Sequence, residues 1–187
     1  YQETRRSHWD SIAIKTDSWT SKGEYYHQRL IDIYRFIIPP RQRVIEIGCG
    51  MGDLVASLKP DRGVGIDFSS EMIKRAEKKH PGIEFIHCDA HDIELDEKFD
   101  VIILSDIVND LWDVQSVLKR LHKFCIPETR IVINLYSHLW EIPLKISQAF
   151  NLATPVLPQN WLTVEDIENM LNLAGFDLVR RWPEILW

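Results

Sequence analysis

Cysteine is scarce in this chain: Cys49, Cys88 and Cys125 are far apart, odd in number and free of any Cys-x-x-Cys pair. That points away from a disulfide framework or a thiolate zinc site and toward free thiols in a reducing compartment. Long apolar runs are missing as well. No stretch approaches the roughly 18 residues needed to span a bilayer, and no signal-peptide pattern opens the chain, so the sequence predicts a soluble, cytoplasmic protein with no membrane partner. Basic charge is also in deficit, with 22 Lys and Arg against 28 Asp and Glu and a formal net charge of −6. Nucleic-acid binding is driven by clustered cations, so the balance predicts no nucleic-acid partner. Internal repeats and low-complexity segments are lacking too.

What is present is an ordinary globular mixture, 45% hydrophobic and 27% charged, in 187 residues, the size of one domain. Apolar runs alternate with helical patterns. A short helix is expected over residues 1–15, a polar loop over 16–23, and a helix carrying Tyr26, Leu30, Ile33, Tyr34 and Ile37 that Pro39-Pro40 ends. Strands are expected at Arg43–Ile47, Gly63–Asp67, Ile83–Cys88, Phe99–Leu104 and Arg130–Leu135, and a sixth at Phe176–Val179. Between them lie a short helix from Gly52 to Leu58, a helix from Ser70 to Lys79 capped by Ser69, and a helix with Val114, Val117, Leu118, Leu121 and Phe124 on one face. Residues 139–151 read as helical or irregular, 154–160 as a loop, and Thr163 with Asp166 as a capping box whose helix Gly175 stops. The alternation predicts an α/β fold with a doubly wound, mostly parallel sheet.

In such a sheet ligands bind at the carboxyl ends of the strands, near the point where strand order reverses. Gly48 to Gly52, Asp67, Asp89 and Ser105 to Asp110 all fall on that rim. Glycines at alternate positions let backbone approach a ligand, and Asp67 can accept from both hydroxyls of a ribose while Asp89 takes an adenine amino group, so a nucleoside-containing ligand is expected. The dinucleotide fingerprint Gly-x-Gly-x-x-Gly fails here, because the residue three after Gly50 is Asp53. What stands instead is Glu46 followed by glycines at two, four and six residues on.

Glu46-Ile47-Gly48-Cys49-Gly50-Met51-Gly52 resembles the first motif of class I S-adenosylmethionine-dependent methyltransferases. Gly65-Ile66-Asp67-Phe68-Ser69 is similar to their acidic second motif, Asp89-Ala90 to the third, Phe99-Asp100-Val101-Ile102 to the fourth strand, and Gly175-Phe176 to the turn into the sixth. The resemblance spans about Arg41 to Val179, and motifs in order at the expected separations are more specific than any one alone. It implies a Rossmann-like class I methyltransferase fold with S-adenosylmethionine as cofactor. Position by position, it implies that Gly48 and Gly50 lie against the methionine moiety and that Asp67 binds the ribose. Phe68 and Met72 would flank the adenosine, Asp89 with Ala90 would meet the adenine, and Ser105 and Asp106 would border the methyl-transfer zone.

Glu46 is expected to act indirectly, holding the glycine turn or the amino group of the methionine part. Cys49 sits inside that turn, where a small residue is needed for space, and is read as part of the cofactor site rather than as a nucleophile. Methyl transfer needs alignment of an acceptor in line with the sulfur, and a general base only where the acceptor must lose a proton first. Candidates for that base are His138 and Tyr136, just beyond strand five, and Asp106, Asn109 or Asp110 beyond strand four. No metal is expected, because Asp106, Asp110 and Asp113 stand at a helix start, where acidic residues are favoured without an ion.

The chain lacks an Asn-Pro-Pro-Tyr type sequence after strand four and lacks the Pro-Cys pair of cytosine methylation, so a small-molecule or glycan-like acceptor is expected. Trp9, Trp19, Trp112, Trp140 and Trp161 stand outside the strands, to stack on a flat acceptor or to anchor loops. Residues 1–40 are expected to form a helical cap or lid, and 41–187 the cofactor-binding core, with little chain left for the family's seventh strand. That predicts a piece of a longer protein with a covalently linked further domain. The alternative reading is a non-catalytic S-adenosylmethionine-binding module that regulates or scaffolds such a neighbour.

Overall fold

A computed structural model describes residues 2–15, 24–135, 157 and 159–183. Its helices α1 (Gln2–Lys15) and α2 (Glu24–Ile37) precede strand β1 (Arg43–Ile47). Then come α3 (Asp53–Ser57), β2 (Arg62–Asp67), α4 (Ser70–Lys79), β3 (Glu84–His87), β4 (Phe99–Ser105), α5 (Val114–Arg120), a 3-10 turn (Leu121–Phe124), β5 (Cys125–Asn134) and α6 (Val164–Leu173). The five strands form one parallel sheet in the order β3-β2-β1-β4-β5. Strand order therefore reverses between β1 and β4, which opens the crevice where such sheets hold ligands.

The period-two geometry of a strand explains how the two faces are covered. Ile45, Ile47, Ile102 and Leu104 point into one core with Val117 and Leu118 of α5, Phe124, and Ile167 and Leu171 of α6. Their neighbours Val44, Val101 and Ile103 point into a second core with Leu30 and Tyr34 of α2, Val55 of α3, and Ile73 and Ala76 of α4. The central strands are apolar on both sides because both sides are covered, as a doubly wound sheet requires.

Helix boundaries follow their local chemistry. The Ser69 hydroxyl accepts from the Met72 N–H at 3.2 Å to start α4. Thr163 and Asp166 form a reciprocal capping box at the start of α6, and Gly175 closes that helix at φ 83°.

Three expectations are corrected. The helical face through Phe124 breaks after Arg120 into a 3-10 turn. β5 begins at Cys125 rather than Arg130, because Cys125 pairs with Phe99 and a register shift absorbs the polar residues between Cys125 and Arg130. Phe176–Val179 forms no strand: the Phe176 N–H returns to the Leu171 carbonyl at 2.9 Å, and its ring stacks on His122 with centroids 4.1 Å apart. Those bonds turn the segment back onto α6 and leave Val179 95% exposed. The readings of 16–23 and 139–151 lie outside the described residues. Among the described residues no helix is long and apolar enough to cross a membrane.

Candidate functional site

The turn after β1 is held from beneath by β2, since the N–H groups of Gly48 and Cys49 both donate to the Ile66 carbonyl, at 2.7 and 2.9 Å. Gly48 has φ 77°, and a Cβ there would stand 2.6 Å from Ile107 Cδ1. Gly50, at φ 51°, differs: a Cβ there would meet nothing within 4 Å, so its backbone borders open space. Glycine is required at the first position by packing and conformation, and at the second by conformation beside room for a ligand.

Asp67 ends β2 and is 8% exposed. Its Oδ2 accepts from the Gly50 N–H and its Oδ1 from the Ser69 N–H, each at 2.9 Å. Burial pushes this carboxyl above its ordinary value, while the two backbone bonds pull the other way. Glu46 points into the α2–α4 side of the sheet and accepts the Val55 N–H at 3.0 Å, which secures the first turn of α3. Burial raises its carboxyl to about 8, with the Val55 bond opposing and the Asp67 charge adding. Cys49 is buried, its thiol raised well above the usual value first by that burial, so it is inert as a nucleophile at neutral pH.

A cleft of about 450 Å³, open mouth included, lies along this rim. Gly48, Asp67, Phe68, Asp89 and Ala90 line it, which brings five of the sequence-predicted residues together. Glu46, Cys49, Gly50, Met72, Ser105 and Asp106 are not on its wall. Met72 is buried in α4 instead.

Asp110 and Trp112, both singled out in the sequence, line the cleft too, while further walls were not read from the sequence. His91 faces the cleft and engages Asp89 twice, through its N–H at 2.9 Å and its Nδ1 at 2.6 Å. The other ring nitrogen, Nε2, lies 3.2 Å from the Asp113 carbonyl oxygen and 3.3 Å from the Asp113 backbone nitrogen, so the ring bridges Asp89 and the start of α5. Trp112 stacks on that ring, centroids 4.5 Å apart, and carries an apolar surface to the cleft. Gln2 and Arg5 reach the same cleft from α1. His91 is two residues beyond Asp89, so proximity to the third motif was a usable signal. Nothing in the local sequence marks Arg5.

Asp106 follows β4 with φ 57°, a left-handed conformation held by its partners. Tyr26 of α2 donates its hydroxyl to the carboxylate at 2.7 and 2.9 Å. Asn134 at the end of β5 donates its side-chain amide to the same group, and the buried Tyr34 hydroxyl donates to Asn134 Oδ1 at 2.7 Å. This network ties α2 to the carboxyl ends of β4 and β5. Tyr136 and His138 lie outside the described residues. Among the described residues, no three His, Cys, Asp or Glu side chains gather as a metal site.

Comparison with known proteins accords with this geometry. Residues 39–179 match the family described as "Methyltransferase domain". The demethylmenaquinone methyltransferase of Thermotoga maritima is 29% identical over 181 residues, covering 82% of this chain and 77% of that protein. A protein of Methanocaldococcus jannaschii is 24% identical over 180 residues, covering 92% and 82%. The magnesium protoporphyrin IX methyltransferase of Synechocystis, solved with bound SAH, superposes with a TM-score of 0.76 at 17% identity, covering 96% of this chain and 90% of that one. With the family matched over most of its length and the fold shared, this chain belongs to the class I S-adenosylmethionine-dependent methyltransferases.

Proposed function

We propose that the protein methylates a small-molecule or glycan-like acceptor, with the cofactor held along the crevice between β1 and β4. The observation that carries the cofactor placement is the Asp67 carboxylate, fixed by the Gly50 and Ser69 N–H groups at the edge of the cleft. The open space beside Gly50 suits the methionine part, and the Asp67 carboxylate retains acceptor lone pairs for ribose hydroxyls. Phe68 and Ala90 supply apolar walls for a nucleoside base, and Asp89, steadied by His91, supplies an acceptor for an exocyclic amine.

When bound, the cofactor supplies a methyl group already activated by its sulfonium. The chain then has to orient the acceptor and exclude water, and such positioning contributes about 7–11 kcal/mol of the barrier. Of the residues considered as general base, Asp106 already accepts from Tyr26 and Asn134, and so acts as a holder of α2 over the rim rather than as a ready base. Tyr136 and His138 keep the place of candidates for proton removal, where the acceptor requires it.

The names of the relatives support a small acceptor, since demethylmenaquinone and magnesium protoporphyrin IX are both ring-bearing small molecules. The test is transfer of radiolabelled methyl from S-adenosylmethionine to a panel of quinols, phenols, amines and glycans, beside protein and RNA controls. Label in the small-molecule pool is expected. Label found only in the macromolecular controls defeats the reading.

A further inference from the structure

The first half of α1 is unusual for a helix that lies on a protein body. Residues 2 to 7 read Gln-Glu-Thr-Arg-Arg-Ser, without one apolar side chain, so hydrophobic burial cannot be what holds this half in place. Yet Arg5 is 4% exposed, and with Gln2 it lines the same cleft as Asp67 and Asp89. Polar contacts hold it there.

Two of these contacts stand on opposite sides of the crevice. Arg5 pairs with Asp110, in the segment that follows β4. Asp10 accepts from the hydroxyl of Ser69, in the segment that follows β2. In the sheet β1 lies between β2 and β4, so α1 crosses above the end of β1 and its glycine turn, anchored at one side by an ion pair and at the other by a charge-assisted hydrogen bond. The half over the cleft has no apolar side chain to withdraw from a core, so it can open without unpacking one, while half-buried Trp9 and Ile12 and buried Ala13 seat the second half.

We propose that α1 is a clasp over the cofactor cleft, latched by Arg5–Asp110 and by Asp10–Ser69, and that the cofactor enters and leaves when the clasp lifts. The inference rests on the cofactor placement above. It gives the N-terminal helix a kinetic role: the latches set the rate of cofactor exchange while the core sets the affinity.

The test is stopped-flow binding of S-adenosylhomocysteine to the full chain, followed by displacement, in the wild type, Arg5→Ala and Asp10→Ala. Association and dissociation rates are both expected to rise roughly tenfold in each variant, with the dissociation constant moving much less. Rates unchanged in both variants overturn the clasp, and so does faster dissociation with unchanged association, which marks Arg5 and Asp10 as mere ligand contacts. Hydrogen exchange of the wild type guards against a folding defect in the variants: amides of residues 2–7 are expected to gain protection when S-adenosylhomocysteine binds, and equal exchange with and without it defeats the proposal. Failure of the wild type to bind S-adenosylhomocysteine at all defeats the cofactor placement instead.

Discussion

The backbone N–H of Gly50 donates to Asp67 Oδ2 at 2.9 Å, so the turn after β1 and the end of β2 form one unit. Removing the carboxylate takes away the proposed ribose acceptor and leaves the Gly50 and Ser69 N–H groups without their partner. Asp67→Ala is therefore expected to weaken S-adenosylhomocysteine binding at least about tenfold by calorimetric titration, since a hydrogen bond to a charged group contributes about 1.5–3 kcal/mol. NAD is expected to give no binding heat with the wild type.

The glycines of this turn separate stability from binding. Gly48→Ala adds left-handed strain and a contact with Ile107 at 2.6 Å, and is expected to cost about 2–4 kcal/mol in chemical denaturation. Gly50→Ala meets no atom within 4 Å, so its cost is conformational, about 1–2 kcal/mol. That variant is expected to fold, with a much larger loss in S-adenosylhomocysteine affinity than in stability. Equal affinity in wild type and Gly50→Ala would show that the open space beside Gly50 holds no ligand.

Glu46 makes stability depend on pH. Burial raises its carboxyl from an ordinary 4.5 to about 8 in the folded protein. Between those values the folded chain keeps a proton that the unfolded chain has released, so this contribution is full below the unfolded value and is lost as pH rises through the folded one. The limiting slope for a single proton is about 1.4 kcal/mol per pH unit. Thermal melts are expected to fall in midpoint from about pH 6 to about pH 8 in the wild type. Glu46→Gln, which keeps an oxygen for the Val55 N–H, is expected to flatten that decline.

The capping box at α6 gives a prediction remote from the cleft. Thr163→Ala leaves the Asp166 N–H without its side-chain acceptor and is expected to cost about 1 kcal/mol, or about 2–4 °C in melting midpoint. Its affinity for S-adenosylhomocysteine is expected to match the wild type. A large loss of affinity would mean that α6 reaches the cofactor site.

The parts of the fold that were legible carry their cause locally. Val101-Ile102-Ile103-Leu104 is apolar at both parities and lies buried on both faces. Ser69 and Thr163 cap the helices they precede, because a hydroxyl beside a free N–H needs no distant partner. The rim residues Gly48, Asp67, Phe68, Asp89 and Ala90 follow directly from strand ends. Features set by contacts between distant segments were not legible. β5 starts five residues early because Cys125 meets Phe99. Phe176 leaves the expected strand because it finds His122, and His91 matters through Trp112 and Asp89 together. Arg5 sits in the polar first half of a helix whose side chains look alike in sequence, and its pairing with the distant Asp110 is what the sequence does not show.

The pairing of β1 with both β2 and β4 has a bearing on synthesis. Val44 meets Gly63 on one side and Val101 on the other, so a nascent chain that has emerged only through β3 has the glycine turn and Asp67 but leaves β1 with a bare flank. Ile107, which closes the space above Gly48, also comes after β4. The ligand crevice is thus a late product of translation: its first wall is made early, and it waits for the second half of the sheet before it can hold anything.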